Sequence, residues 1–147
     1  MLGFVLLVFF ARSALALIDT NCTDGKVYLV SAFGCSDNAP KVFCDEEYPK
    51  VATPGPDVGN TVERSATCYR TSLSSDINEK LKASNATAVD VCPNTCGYCC
   101  LTPEFKCDNQ KDSSLPCDKV TPTMCNDTTL HQVIAHYCPN VCGFCLE

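Results

Sequence analysis

The eight residues CPNTCGYC, Cys92 to Cys99, recur as CPNVCGFC, Cys138 to Cys145, with only Thr95/Val141 and Tyr98/Phe144 changed. Each copy places three cysteines within one short turn of chain, and no other feature restricts the fold so tightly. Two cysteines three apart bridge each other only through a strained loop. They reach two separate partners if the chain turns sharply between them. Gly97 and Gly143 supply a residue able to take positive φ in that turn, and Pro93 and Pro139 stiffen the approach. The inner CGYC and CGFC therefore have three candidate roles: redox centre, half of a zinc site, or staple.

The compartment bears on that choice. The chain starts with an apolar run, Leu2 to Phe10, followed by Ala14-Leu15-Ala16. An apolar core ahead of an A-x-A-like site reads as a secretory signal peptide over residues 1–16. A membrane span needs roughly 20 apolar residues, and Arg12 and Ser13 interrupt this run. The expected product is secreted and extracellular, with no stable membrane insertion after cleavage. In an oxidising compartment, 14 cysteines in 147 residues imply a disulfide framework. Each bridge contributes about 2–4 kcal/mol. There is no Trp and there are few periodic apolar runs, so staples are expected to replace much of a core.

The net charge of −6 loses one positive charge with Arg12. An acidic chain without basic clusters argues against nucleic acid or an anionic membrane as partner. Three N-x-S/T sequons, at Asn21, Asn85 and Asn126, are candidate glycan sites.

The cysteines between the two motifs divide the chain. In the second half they are Cys107, Cys117, Cys125, Cys138, Cys142 and Cys145. Leu130, Val133, Ile134 and Tyr137 fall on one helix face. Asp127 or Thr128 is placed to cap that helix, and Pro139 should break or restart it. In the first half, Cys68, Cys92, Cys96 and Cys99 align with Cys125, Cys138, Cys142 and Cys145, with a longer segment after Cys68. Asp76 and Glu79 form a capping-box pattern that predicts a short helix near 76–83. Residues 45–67 carry Pro49, Pro54, Gly55, Pro56 and Gly59, a breaker density expected of an extended inserted loop. Its acidic cluster, 45–47, should be solvated loop. Residues 101–106 form a very short linker.

A thiol–disulfide oxidoreductase needs a helix starting at its CxxC to lower the first thiol's pKa. Cys99 is followed by Cys100 and then Pro103, and Cys145 by Leu146 and Glu147, so no helix is expected after either motif. Zinc needs more ligands, and His131 and His136 are five apart, off a common helix face. They are expected to be solvent-facing or packing residues. No catalytic constellation, cofactor site or metal set is evident, and units this small offer little concavity for a substrate.

Six cysteines closing in C-P-x-[TV]-C-G-x-C resemble the ShK toxin-like (ShKT) domain, a family of sea-anemone potassium-channel blockers and domains of secreted nematode proteins. The resemblance covers Cys107 to Cys145 well and Cys35 to Cys99 more loosely. Its first-to-sixth, second-to-fourth and third-to-fifth connectivity implies Cys107–Cys145, Cys117–Cys138 and Cys125–Cys142. In the first copy it implies Cys35–Cys99, Cys44–Cys92 and Cys68–Cys96, leaving Cys22 to pair with Cys100. A competing frame starts at Cys22 and leaves Cys44 to pair with Cys100.

The implied fold is small and disulfide-rich: two ShKT-like units with short α-helices and little or no β-sheet. Residues 17–34 form an N-terminal segment. Residues 35–100 form the first unit with its inserted loop 45–67, and 107–145 the second. The family's channel blockers use a Lys-Tyr dyad before the fourth cysteine. The matching positions here hold Leu130 and His131, or Gln132 and Val133, and neither Lys80 nor Lys82 precedes an aromatic. The leading expectation is a non-catalytic binding or structural module with an extracellular protein or glycan as partner, in matrix, surface or defence-related roles. Ion-channel modulation is the alternative, and oxidoreductase activity the second alternative.

Overall fold

A computed structural model describes residues 21–69, 85–111 and 114–147. The signal peptide expected over residues 1–16 and the helix expected near 76–83, with Lys80 and Lys82, lie outside them. Among the described residues there are five short α-helices: α1 Lys41–Glu47, α2 Ala86–Val91, α3 Pro122–Cys125, α4 His131–Tyr137 and α5 Pro139–Cys142. Short 3-10 turns join them, and β-structure among these residues is confined to isolated bridge pairing such as Thr23 with Tyr28. The protein is a small disulfide-rich fold.

All fourteen cysteines are bridged. The pairs are Cys22–Cys100, Cys35–Cys99, Cys44–Cys92, Cys68–Cys96, Cys107–Cys145, Cys117–Cys138 and Cys125–Cys142. The first half thus takes the frame that starts at Cys35. In each half two bridges that cross one another in sequence lie within the span of a third. The sulfurs also form much of the cores. Cys44, Cys68, Cys92 and Cys96 are buried with Tyr48, Ala88 and Tyr98. Cys138 and Cys142 are buried with Val120 and Ile134.

The helices follow from local rules. In α4, Ile134 is the buried residue and Val133 is 44% exposed. This corrects the expected apolar face: Leu130, Ile134 and Tyr137 pack in the Cys138 cluster, while Val133 is left exposed. Asp127 leads into α4 through a turn, its carboxylate accepting from the Thr129 N–H at 2.8 Å and the Thr129 hydroxyl at 2.6 Å. Hydrogen bonding from Thr129 holds the Asp127 carboxyl below the ordinary aspartate range. The chain breaks at Cys138 and restarts at Pro139, as a residue without an N–H dictates.

Residues 45–47 correct a second expectation. They belong to α1 and not to the loop. Pro40 precedes α1 and Pro49 follows it. Cys44 and Tyr48, four apart, bury the inner side, and Lys41 pairs with Asp45 at 2.8 Å on the outer one. The acidic side chains are nevertheless exposed. The far end of the inserted loop is also more structural than its breakers imply, because Arg64 and Ser65 are buried.

The stretch 101–106 is folded rather than slack. Turns at Cys99–Leu101 and Pro103–Phe105 occupy it. Phe105 is buried, and the Glu104 carbonyl accepts from the Cys145 N–H at 3.0 Å.

Candidate functional site: two clasps and the grooves beside them

Each repeated motif folds into a clasp built from the same parts. Pro93 and Pro139 begin a turn whose carbonyl accepts from the N–H of Tyr98 at 2.7 Å and of Phe144 at 2.9 Å. Gly97 and Gly143 take φ of 64° and 80°, the left-handed region that an L side chain enters at a cost of about 1–2 kcal/mol. The flanking cysteines then point apart, Cys96 to Cys68 and Cys99 to Cys35, Cys142 to Cys125 and Cys145 to Cys107.

A phenylalanine closes each clasp. A Cβ on Gly97 would stand 2.7 Å from the Phe33 ring, and one on Gly143 2.6 Å from the Phe105 ring. Phe33 lies two residues before Cys35, and Phe105 two before Cys107. The motif's asparagine ties this segment down. Asn94 donates to the carbonyls of Phe33 at 2.9 Å and Cys35 at 2.8 Å. Asn140 donates to Phe105 and, at 3.0 Å, to Cys107. The sequence reading missed these residues, although F-x-C before each first cysteine was there to be seen.

The two differing positions have local causes. Tyr98 is fully buried and its hydroxyl donates to the Cys68 carbonyl at 3.1 Å. Phe144 is half-buried and lies against the His131 ring, tilted 45° to it at 4.4 Å between ring centroids. Asp37 accepts from both the N–H (2.9 Å) and the hydroxyl (2.7 Å) of Thr95. At the matching place Asn109 accepts the Asn140 N–H at 3.0 Å, and Val141 has no hydroxyl to offer.

Arg64 is the other residue missed, since a lone arginine in a breaker-rich loop reads as solvated. It is 1% exposed. Its guanidinium donates to the carbonyls of Cys96, Asn21 (2.9 Å) and Gly97 (2.8 Å). It also lies 4.3 Å from the Tyr98 ring centroid and 4.8 Å from that of Tyr28, within cation–π range. The inserted loop thus threads a cation into the first clasp, and the N-terminal segment is clamped with it. The Tyr28 hydroxyl donates to the Val62 carbonyl at 3.0 Å, and Cys22 is bridged to Cys100.

The remaining sequence-predicted positions are dispersed. His131 contacts Glu147 at 2.7 Å, and His136 lies beside Gln110 and Tyr137. Among the described residues no group of three His, Cys, Asp or Glu is placed to hold a metal ion, and no helix is long and apolar enough to cross a membrane. Of the dyad-matching positions, Leu130 and His131 are half-buried and Gln132 and Val133 exposed.

Open grooves lie beside the clasps. One open groove of about 510 Å³ is lined by Asn38, Asp90, Leu101, Glu104 and Gly143. Another of about 730 Å³ is lined by Val30, Phe33, Val58, Pro122, Cys142 and Phe144. Both arise because the Pro103–Phe105 turn and the N-terminal segment bring the halves together, with Phe105 against both Gly34 and Gly143. On the outer face, Val42 and Phe43 of α1 are 69% and 45% exposed, next to its acidic residues.

No family model matches the chain, and neither a curated protein nor a solved structure does.

Proposed function

We propose that the chain is a secreted, non-catalytic binding or structural module, built from two ShKT-like units and recognising an extracellular protein or glycan. The observation that supports this most is the commitment of the sulfurs. A redox CxxC cycles between a dithiol and a bridge within the motif. Here Cys96 and Cys99 are bridged to Cys68 and Cys35, and Cys142 and Cys145 to Cys125 and Cys107. Opening either motif would therefore dismantle a core, as a structural bridge does and a catalytic one does not.

The test is peptide mapping of the secreted protein under non-reducing conditions, together with an insulin-reduction assay. The expected result is the seven bridges above, no titratable thiol and no turnover. A Cys96–Cys99 or Cys142–Cys145 bridge, or turnover abolished by Cys96→Ser, overturns the proposal.

A further inference from the structure

The three sequons differ sharply once folded. We propose that Asn126 is the residue at which the folded protein carries an N-linked glycan, and that Asn21 and Asn85 are left unmodified. The inference rests on the secretory reading above. The reaction transfers an oligosaccharide from a polyprenyl-pyrophosphate donor. The sugar C1–oxygen bond to phosphate breaks, C1 bonds to the asparagine Nδ2, one amide proton is lost and the polyprenyl pyrophosphate leaves.

At Asn85 both side-chain atoms hold separate parts of the fold. Its Oδ1 accepts from the Thr87 N–H at 3.1 Å, capping α2. Its Nδ2 donates to the Thr67 carbonyl at 3.1 Å, across eighteen residues of sequence. Thr87 is also the third residue of the sequon. A sugar on Nδ2 would have to enter between the α2 start and Thr67, one residue from the buried Cys68. Asn21 is half-buried beside Cys22, which is 6% exposed and bridged to Cys100. Its carbonyl accepts from the buried Arg64.

Asn126 is different. It follows α3 at the surface, and Asp127 and Thr128 after it are exposed. Its Nδ2 donates to the Pro122 carbonyl at 2.9 Å, a bond within one helical turn. A secondary amide keeps one N–H, and no distant segment is held by this one. The side chain stands at the rim of the groove lined by Phe33, Pro122 and Phe144, so the first sugar has open space before it and an apolar floor beside it.

The experiment expresses the full chain in cultured animal cells in two forms, one with residues 1–16 intact and one with a heterologous secretory leader in their place. Protein is treated with peptide N-glycosidase in heavy-oxygen water, which marks each formerly glycosylated asparagine as labelled aspartate. The expected result is label at Asn126 alone, with Asn126→Gln and Thr128→Ala each removing the glycan shift on a gel. Asn126→Gln should be secreted and unfold at the same temperature as the enzymatically deglycosylated protein. Secreted protein without label at Asn126, or with label at Asn85 or Asn21, overturns the inference. If only the heterologous-leader form reaches the medium and it is labelled at Asn126, the secretory reading of residues 1–16 fails while the site assignment stands.

Discussion

The two clasps share their backbone, their glycine, their asparagine latch and their phenylalanine lid, yet differ in what surrounds them. The first has a buried cation, a buried tyrosine and an extra bridge to the N-terminal segment. The second has a half-exposed phenylalanine against a histidine and no arginine counterpart. The lesson is that the eight-residue turn is self-sufficient in geometry but not in burial. Where an insertion covers the turn, polar groups are recruited to satisfy carbonyls that would otherwise be stranded. The second turn carries no such insertion, and Gly143 and Phe144 there are only half-buried. The matching positions differ in the same way: the second carboxylate oxygen of Asp37 meets the Thr95 hydroxyl, whereas Asn109 accepts only the Asn140 N–H and Val141 brings no hydroxyl.

The sharpest way to separate the clasps is Arg64→Leu. It strands the carbonyls of Cys96, Gly97 and Asn21 and should cost about 3–5 kcal/mol. Amide exchange should rise over 21–34 and 92–100 while 107–145 stays protected. Equal loosening of both halves would break the comparison.

Gly143→Ala and Gly97→Ala come next, at about 2–4 kcal/mol from left-handed backbone and ring overlap together. Gly143→Ala should be the worse, since Phe105 is 2% exposed and held between Gly34 and Gly143. Phe33 is only half-buried, so its ring should give way more readily. Denaturant unfolding of both variants reads the order.

Tyr98→Phe should cost about 1–3 kcal/mol by removing the donor to the Cys68 carbonyl, whereas Phe144→Tyr should be close to neutral by thermal unfolding. A smaller effect, about 1–2 kcal/mol, is expected for Thr95→Val. Adding Asp37→Asn should recover part of it, and a double-mutant cycle with no coupling would refute the pairing.

The smallest effect is the response to acid. The carboxyl of Asp127 is held low in the folded state, chiefly by the Thr129 hydroxyl. Its contribution is therefore present above the unfolded value and lost as pH falls through the lower folded value. α2 is headed by the uncharged Asn85, so acid should fray α4 before α2. Amide exchange at low pH checks this, and Asp127→Asn should remove the difference.

Much of the fold was legible because its determinants are local. The positive-φ glycines, the prolines at 93 and 139, the restart of helix at Pro139 and the direction of α4 all follow from residues within a few positions of one another. The frame of the first half was not settled by spacing, since Cys22 and Cys35 both fit a six-cysteine count. The phenylalanines at 33 and 105 would have favoured Cys35. The prolines after 45–47 point to a loop, whereas the four-residue spacing of Cys44 and Tyr48 is the signal that places these residues on a helix.

Arg64 shows why the rest could not be read. Its role depends on carbonyls more than thirty residues away, exposed by a turn whose own sequence contains no hint of a partner. The sequence by itself determined that two sharply turned, three-cysteine clasps must form, because spacing, proline and glycine act within one turn. Only the tertiary structure decided which distant sulfur each clasp meets, which carbonyls need a cation and which asparagine is left at the surface. Any cysteine can bond to any other, and burial and geometry choose among them.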